Sequence, residues 1–339
     1  MTRPYRPLAA FFAILLSLAA PQAVSAQNPA LGALGQDFAR DGQGARPAAA
    51  TRRAVVASRP APRQATHPQF RPWMHPDVAD AWNAGYRGQG TSVTVVDSFD
   101  RGARIEADLG TGRLSQRHGD WTQLELSLLA PQAQLRRHDM GSNRAVSLGA
   151  GLNVVNLSYA MFATAGHSPA RIAWSAQEAS VIRHARQGSA LVVKAAGNDG
   201  AALGGANRAG RSDYLNLALL GSDAAIFVGA LDRHGSPSDR ANLASYSNRP
   251  GQDRRAQRQF LTVGVRGDLT GLDGTSYAAP VVSGYAAVLG SKFTNATPTQ
   301  IGNRLLDTAR TDTIRNYNPA QHGRGEASLA RALAPARIQ

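Results

Sequence analysis

Apolar and polar residues along this chain follow two alternating patterns. Short runs of β-branched and other apolar residues predict strands, and longer stretches with apolar residues spaced by three or four predict helices. The strands are predicted at 92–97, 134–137, 152–157, 190–194, 225–228 and 260–265. The helices are predicted at 118–129, 171–186, 275–292 and 298–309. Strands that alternate with helices predict an α/β fold, in which a doubly wound and mainly parallel sheet is covered by helices on both faces.

The amino terminus has the layout of a secretory signal peptide. Arg3 and Arg6 precede an apolar run at 8–20, and the small residues Val24-Ser25-Ala26 follow it. This pattern predicts cleavage near Ala26, so that residues 1–26 form the signal peptide. The run is shorter than the roughly 20 residues of a transmembrane helix, and an uncleaved membrane anchor is the alternative. We expect an exported protein, periplasmic or extracellular, with no integral membrane segment after cleavage.

The next segment, residues 27–70, is rich in Ala, Gly, Pro, Gln and Arg and poor in large apolar residues. It cannot bury enough apolar surface to offset the entropy lost on ordering, which predicts a disordered leader or linker. A reduced pro-segment is the alternative. Residues 71–339 contain all the predicted strands and helices, and we expect them to form the folded domain.

Composition narrows the chemistry that this domain can perform. The chain has 339 residues, 43% of them hydrophobic, and no cysteine. The lack of cysteine excludes a disulfide framework, thiol catalysis and thiolate metal sites. The net charge of +14 would attract nucleic acid or anionic surfaces. No recognisable nucleic-acid module interleaves aromatic residues with the arginines, however, and we expect no nucleic-acid partner.

Four polar residues lie where predicted strands end or predicted helices begin. They are Asp97 at the end of the first strand, His118 at a helix start, Asn198 in a turn after a buried strand, and Ser276 in the first turn of a helix. A serine hydroxyl attacks a carbonyl near pH 7 when an imidazole takes its proton, and the imidazole needs a carboxylate to fix its tautomer. An asparagine N–H and helix-start amides can hold the resulting oxyanion. Catalytic groups of α/β folds gather at the carboxyl edge of the sheet, where we expect these four.

The segments around these residues resemble the subtilisin-like serine proteases, the subtilases. That family has an Asp box, a His-Gly box, an Ala-Ala-Gly-Asn box and a Gly-Thr-Ser-x-Ala-x-Pro box. The matching positions here are Asp97, His118-Gly119, 195–198 and 274–280. Segments 129–135, 153–158, 244–248 and 322–325 are also similar to family segments. The likeness extends from Trp73 to Pro335, so residues 71–339 resemble a subtilisin-like catalytic domain.

The resemblance implies a serine endopeptidase that hydrolyses peptide bonds through an acyl-enzyme intermediate. It implies catalytic roles for Asp97, His118 and Ser276, and an oxyanion-binding role for Asn198 beside the backbone N–H of Ser276. The residues implied to bind substrate are Ser158, Tyr159, Ala160, Ala195, Ala196 and Gly197. The expected partner is a protein or peptide substrate.

No cofactor is expected. Many subtilases bind calcium, and two pairs of acidic residues, Asp232 with Asp239 and Glu106 with Asp108, are conceivable ligands. No oxygen-rich loop with defined ligand spacing contains them, and a structural calcium ion therefore stays an open alternative.

Three boxes depart from the family pattern. Phe99 stands where the family has glycine after its Asp box. After His118-Gly119 the family continues Thr-His-Val-Ala-Gly, whereas residues 120–124 here include larger side chains in place of the small ones. Asp120, two residues from the candidate base, is a candidate to perturb its pKa. The substrate strand ends with residues 158–161 and lacks the two family glycines. Side chains there occupy space that the substrate backbone normally approaches, which predicts a narrowed or reshaped specificity pocket.

Two other functions are open at this point. The altered Asp and His boxes suit a degenerate subtilase scaffold that binds without cutting. An esterase of the α/β-hydrolase kind would use Ser276, Asp312 and His322 in that chain order. The esterase lacks its Gly-x-Ser-x-Gly elbow, because position 278 is alanine.

Overall fold

The structure is a computed structural model that describes residues 68–338. The predicted signal peptide and nearly all of the segment predicted as leader or linker lie outside these described residues. Residues 68–338 form ten strands and ten α-helices. The strands are β1 (Thr91–Asp97), β2 (Ile105–Ala107), β3 (Leu114–Gln116), β4 (Gln134–Asp139), β5 (Leu152–Leu157), β6 (Phe162–Thr164), β7 (Leu191–Ala195), β8 (Arg211–Asp213), β9 (Ala225–Leu231) and β10 (Phe260–Gly264). The helices are α1 (Asp77–Asn83), α2 (His118–Leu129), α3 (Ala176–Gln187), α4 (Tyr214–Leu219), α5 (Arg254–Arg258), α6 (Gly267–Thr270), α7 (Ala278–Lys292), α8 (Pro298–Asp307), α9 (Pro319–His322) and α10 (Leu329–Leu333).

Six strands form one parallel sheet in the order β10-β9-β7-β5-β1-β4. The strand order reverses at β1, because β4 pairs with one edge of β1 and the next strand of the sheet, β5, pairs with its other edge. Ligand sites of doubly wound sheets lie at such reversals, beyond the carboxyl ends of the strands. Two small antiparallel pairs, β2–β3 and β6–β8, lie outside this sheet. The predicted α/β fold with a parallel sheet is confirmed.

Side chains alternate between the two faces of the sheet, and each face is covered by helices. In β1, Val93 and Val95 pack into a core that includes residues of α2, α7 and α8. Val96 packs into a second core that includes residues of α3 and α4. All seven residues of β1 are buried, as expected for a strand covered on both faces. Among residues 68–338, no helix has both the length and the apolar content that crossing a membrane requires.

The predicted element boundaries are correct where the local signal is strong. The limits of α2 and β5 are as predicted, and Thr297 caps α8 through a reciprocal pair of hydrogen bonds with Gln300. The prediction that α3 starts at Arg171 is wrong, because the Ser175 side chain accepts from the N–H of Gln177 and caps the helix there. The prediction that α7 starts at Thr275 is also wrong. A turn, in which the Tyr277 N–H donates to the Gly274 carbonyl (3.1 Å), precedes the helix.

Candidate active site

The four polar residues picked out by their positions lie at the carboxyl side of the parallel sheet. Asp97 is the last residue of β1, and His118 is the first residue of α2. Asn198 follows β7, and Ser276 lies in the turn just before α7. Since β1, β5 and β7 are neighbours and run parallel, the segments that follow them converge at this edge.

Asp97 is a buried carboxylate, with only 1% of its surface exposed. Its Oδ1 lies 2.6 Å from Nδ1 of His118 and accepts from the backbone N–H of Ser98 (2.7 Å). Its Oδ2 accepts from the hydroxyl of Thr122 (3.1 Å). Burial of an unpaired charge would cost several kcal/mol. These donors compensate that cost and fix the plane of the carboxylate.

His118 is a partly buried imidazole whose side chain is 16% exposed. Burial alone would lower the pKa of His118, but the charge of Asp97 and its hydrogen bond outweigh burial and raise this pKa above its usual 6.5. The Asp97 carboxylate favours the tautomer that carries its proton on Nδ1, which leaves Nε2 free to accept a proton. The imidazole ring also packs against the ring of Tyr277, with centroids 5.5 Å apart. The His118 ring therefore lies beside the residue that follows Ser276.

The start of α2 fits closely against the end of β1. The N–H of Gly119 donates to the Ser98 carbonyl (3.0 Å), and a Cβ on Gly119 would lie 2.8 Å from that oxygen and 2.9 Å from the Phe99 ring. The close approach excludes a side chain at position 119. Phe99, which departs from the family pattern, is thus accommodated by packing against this glycine.

Asp139, at the end of β4, holds the loop that follows Asp97. Its carboxylate accepts from the N–H groups of Phe99 (3.0 Å), Asp100 (3.2 Å) and Gly141 (2.8 Å). Burial would raise the pKa of Asp139, but these hydrogen bonds lower it overall. The sequence analysis missed this residue. Its position two residues after the strand predicted at 134–137 was the available signal.

Asp120 forms an ion pair with Arg137. Its Oδ1 lies 3.0 Å from the Arg137 guanidinium, which also lies over the Phe99 ring at 5.0 Å from the centroid. The Asp120 carboxylate is therefore paired with Arg137. The pKa of His118 is shifted by burial of the ring and by Asp97.

Ser276 is held in a reciprocal contact with Ser158. The Ser276 hydroxyl donates to the Ser158 carbonyl (3.2 Å), and the Ser158 hydroxyl donates to the Ser276 carbonyl (2.9 Å). A buried chain supports Ser158, because Asn156 Nδ2 donates to its hydroxyl (3.0 Å) and the Ser283 hydroxyl of α7 donates to Asn156 Oδ1 (3.0 Å). Among the described residues, the acceptor of the Ser276 hydroxyl is thus Ser158 and not His118. Proton transfer to His118 requires the Ser276 side chain to rotate.

Asn198 is exposed, but its amide is oriented by Thr275. The Asn198 Oδ1 accepts from both the backbone N–H (2.8 Å) and the hydroxyl (2.9 Å) of Thr275. The same hydroxyl accepts from the N–H of Gly197 (3.0 Å). With its oxygen fixed in this way, the amide presents Nδ2 on its other side, as a donor for a ligand.

Asn248 supports the turn that carries Asn198, and the sequence analysis assigned it no role. Its Nδ2 donates to the Ala196 carbonyl (3.0 Å), and its Oδ1 accepts from the N–H groups of Asp199 (3.0 Å) and Ala201 (2.9 Å). Gly197 has φ of +111°, and a Cβ on it would lie 2.3 Å from Asn248 Nδ2. Only glycine fits there. Membership of Asn248 in the family-like segment 244–248 was the available signal.

The six residues implied to bind substrate follow β5 or lie at the end of β7. Tyr159 is buried, and its hydroxyl donates to Glu178 (3.3 Å) and accepts from Gln177 (3.2 Å). Its side chain is therefore anchored to α3. The narrowed pocket stays a prediction.

A buried ion pair connects the two segments implied to bind substrate, residues 158–160 and 195–197. Lys194 Nζ lies 3.0 Å from Asp213 Oδ2 and donates to the Ala195 carbonyl (2.7 Å). The other oxygen of Asp213 accepts from the N–H of Met161 (3.0 Å). Lys194 and Asp213 are 1% and 5% exposed, so the pair fixes the segment after β5 relative to β7.

The residues of the esterase alternative have other partners. His322 is buried, forms a hydrogen bond from its ring to the Asn318 carbonyl (3.1 Å), and stacks on Tyr317 with centroids 5.9 Å apart. Asp312 lies 3.4 Å from the Arg310 side chain. The geometry does not favour a site built from Ser276, Asp312 and His322.

The acidic residues considered as calcium ligands are also engaged. Asp239 pairs with Arg233 at 2.7 Å, Asp232 pairs with the same guanidinium at 3.2 Å, and one oxygen of Asp108 accepts from three backbone N–H groups. No group of three His, Asp or Glu side chains within residues 68–338 is placed to hold a metal ion. The carboxylates of Asp108, Asp232 and Asp239 thus accept from N–H groups of the protein itself.

Comparison with known proteins points to one family. A model of the subtilase family matches residues 130–327, a segment that includes Asn198 and Ser276 and begins after His118. No curated protein matches the sequence.

Solved structures share the fold at low sequence identity. The prenylagaramide maturation protease PagA is 18% identical, with a TM-score of 0.50 over 76% of this chain and 98% of that one. MycP1 from the ESX-1 type VII secretion system is 20% identical, with a TM-score of 0.51 over 80% and 88% of the two chains. MycP1 from Mycobacterium smegmatis is 19% identical, with a TM-score of 0.50 over 81% and 89%. At these identities the likeness shows the fold alone.

Glu125, like Asp97, is a buried carboxyl group, and it lies on α2 two turns after His118. It is 5% exposed, and its Oε2 has no hydrogen-bond partner among the described residues. Burial raises the pKa of Glu125 well above its usual 4.5. The folded protein therefore holds this proton at pH values where the unfolded chain has lost it.

We expect the Glu125→Gln variant to gain stability over the wild type as the pH rises from 4.5 to 8. The neutral Glu125 side chain contributes fully to the free energy of unfolding below its pKa in the unfolded chain. That contribution falls as the pH rises toward its pKa in the folded protein. Glutamine does not ionise, so the variant does not lose stability in this way. Urea unfolding at several pH values measures the difference, with the exposed Glu106→Gln as the control. A difference between Glu125→Gln and wild type that does not change with pH would contradict the assignment.

Proposed function

Because this chain belongs to the subtilase family, we propose that it is an exported serine endopeptidase that hydrolyses peptide bonds through Asp97, His118 and Ser276. The observation that supports the proposal most strongly is the 2.6 Å contact between the buried Asp97 carboxylate and Nδ1 of His118. A carboxylate in this position fixes the imidazole and stabilises its protonated form. The signal-peptide pattern at residues 1–26 supports export.

The proposed reaction begins with rotation of the Ser276 hydroxyl from the Ser158 carbonyl toward His118. Nε2 of His118 takes the hydroxyl proton as Oγ attacks the peptide carbonyl. The oxyanion accepts from Nδ2 of Asn198 and from the backbone N–H of Ser276, which has no acceptor among the described residues. His118 then gives its proton to the leaving amine, and the acyl group stays on Ser276.

Hydrolysis of the acyl-enzyme completes the cycle. Water replaces the amine, His118 takes a proton from it, and the resulting hydroxide attacks the acyl carbonyl. The same oxyanion donors serve this step. Collapse of the intermediate returns the proton from His118 to Ser276 and releases the carboxylic acid.

The proposed substrate is a protein or peptide in an extended conformation. Residues 158–160 follow β5, and residues 195–197 follow or end β7, its neighbour in the sheet. An extended peptide placed between them would add as a strand, with backbone hydrogen bonds supplying affinity and pockets supplying selectivity. The Lys194–Asp213 pair keeps the spacing of the two segments fixed.

A fluorophosphonate probe is expected to label Ser276. The probe reacts with a serine only when a base activates it, so labelling requires the complete catalytic site. We expect labelling of the wild type and of His322→Ala, and none of Ser276→Ala or His118→Ala, as measured by intact-protein mass spectrometry. A folded wild type that is not labelled would favour the binding scaffold, and labelling that depends on His322 would favour the esterase.

The Asn198→Ala variant is expected to lose about 100- to 1,000-fold in kcat with little change in KM. Its amide would donate to an oxyanion that exists only in the transition state. Steady-state kinetics on a peptide substrate measure the loss, and the exposed Asn303→Ala on α8 is the matched control. An unchanged kcat in Asn198→Ala would remove this residue from the oxyanion site.

Catalysis is proposed to need no metal or other cofactor, because the triad and the oxyanion donors are all protein groups. Dialysis against a chelator should leave both the peptidase rate and the unfolding midpoint unchanged. Adding calcium back to the dialysed protein provides the control. A peptidase rate that falls on dialysis and that calcium restores would contradict this proposal, and a midpoint that alone behaves in this way would show a structural calcium site.

A further inference from the structure

Thr122 is a buried residue whose hydroxyl contacts the Asp97 carboxylate at Oδ2, the oxygen that does not contact His118. It lies one turn after His118 on α2, at the i+4 position, so that both side chains project from the same face of the helix. Its surface is 0% exposed. Its Oγ1 lies 3.1 Å from Asp97 Oδ2 and 3.0 Å from the Gly119 carbonyl. Nothing in the sequence pattern indicated a role for this side chain.

The Thr122 hydroxyl has one proton and two acceptors within reach. The Gly119 carbonyl already accepts the helical hydrogen bond of α2 from the residue four positions later. Among the described residues, Thr122 is the one donor to Asp97 Oδ2, whereas Oδ1 is reached by both His118 and Ser98. A charged acceptor forms the stronger bond. The proton is therefore assigned to Asp97.

Two buried acidic groups lie close to this contact. Burial raises the pKa of Glu125, on the same helix, and that of the Tyr277 hydroxyl, which favours the neutral form of both groups. The titratable and charged groups on the elements packed around Asp97 are Asp100, Arg101, Arg117, His118, Asp120, Glu125, Arg137, Asp139, Asp273 and Tyr277.

We propose that Thr122 is a positioning residue, whose hydroxyl holds the Asp97 carboxylate so that Oδ1 faces Nδ1 of His118. The proposal rests on the proposed function, and it assigns a task to a side chain that touches neither substrate nor the reacting atoms. The hydroxyl satisfies one carboxylate oxygen and prevents rotation of the group. It also shares the negative charge that the imidazolium experiences.

Removal of the hydroxyl has two consequences of known direction. In Thr122→Val, Oδ2 loses its donor while Oδ1 keeps its contacts with His118 and Ser98, so the carboxylate is held less precisely and kcat falls, by about tenfold. The negative charge is also less dispersed and stabilises the imidazolium more strongly. The pKa of His118 and the acid limb of the kcat/KM profile should therefore rise, by about 0.3 to 1 pH unit.

The test compares three substitutions in the full chain. Thr122→Val removes the hydroxyl at nearly constant volume, and Thr122→Ser keeps it. Thr91→Val is the matched control, because Thr91 is also buried and its hydroxyl donates to the Ala287 carbonyl (3.2 Å) at the far end of β1. Thr122→Ala is the second variant without a hydroxyl, for use if valine prevents folding. Each variant is assayed for kcat, KM and the pH profile, and the pKa of His118 is measured by NMR titration.

The expected result is a lower kcat with unchanged KM and a raised His118 pKa in Thr122→Val, both restored in Thr122→Ser and absent in Thr91→Val. An unchanged His118 pKa and kcat in Thr122→Val, or an equal shift in Thr91→Val, would overturn the proposal. The NMR titration needs no turnover. A wild type without peptidase activity would therefore contradict the proposed function, while the titration would still decide the role of Thr122.

Discussion

The burial of one carboxylate charge determines how the candidate active site is built. Asp97 is 1% exposed, and a charge at that depth is tolerated only with donors around it. Its three donors are a backbone N–H, an imidazole and a hydroxyl, from Ser98, His118 and Thr122. Two of the three project from the first turns of α2. Satisfying the carboxylate therefore fixes the position of α2 over the end of β1, and with it the position of His118.

A second set of contacts fixes the groups around Ser276. Thr275 bonds both Gly197 and Asn198, and Asn248 supports the same turn from behind. On the other side, Ser158 and Ser276 exchange hydrogen bonds. The turn before α7 is thus joined to the chain after both β5 and β7. The central sheet, and not the surface loops alone, holds the candidate oxyanion donors and the nucleophile.

The sequence allowed the architecture and the position of each candidate site residue to be predicted, because those signals are local. A β-branched run ending in an acid predicts the position of Asp97 at a strand end, and the apolar spacing after His118 predicts α2. The roles of Thr122, Asp139 and Asn248 could not be predicted, since each acts across a long separation in sequence. The start of α7 was missed because the turn at Gly274 resembles a helix start. The Phe99 ring fits at its position because it packs against Gly119, and this contact between residues far apart in sequence forms only in the folded chain.

The most direct test of this account is the pKa of His118, measured by NMR titration in the wild type and in Asp97→Asn. Asparagine keeps the size of the side chain and removes its charge. The account predicts a pKa above the usual 6.5 in the wild type and below it in Asp97→Asn, because burial then acts without an opposing charge. The same pKa in both proteins would contradict the claim that the Asp97 carboxylate organises the site.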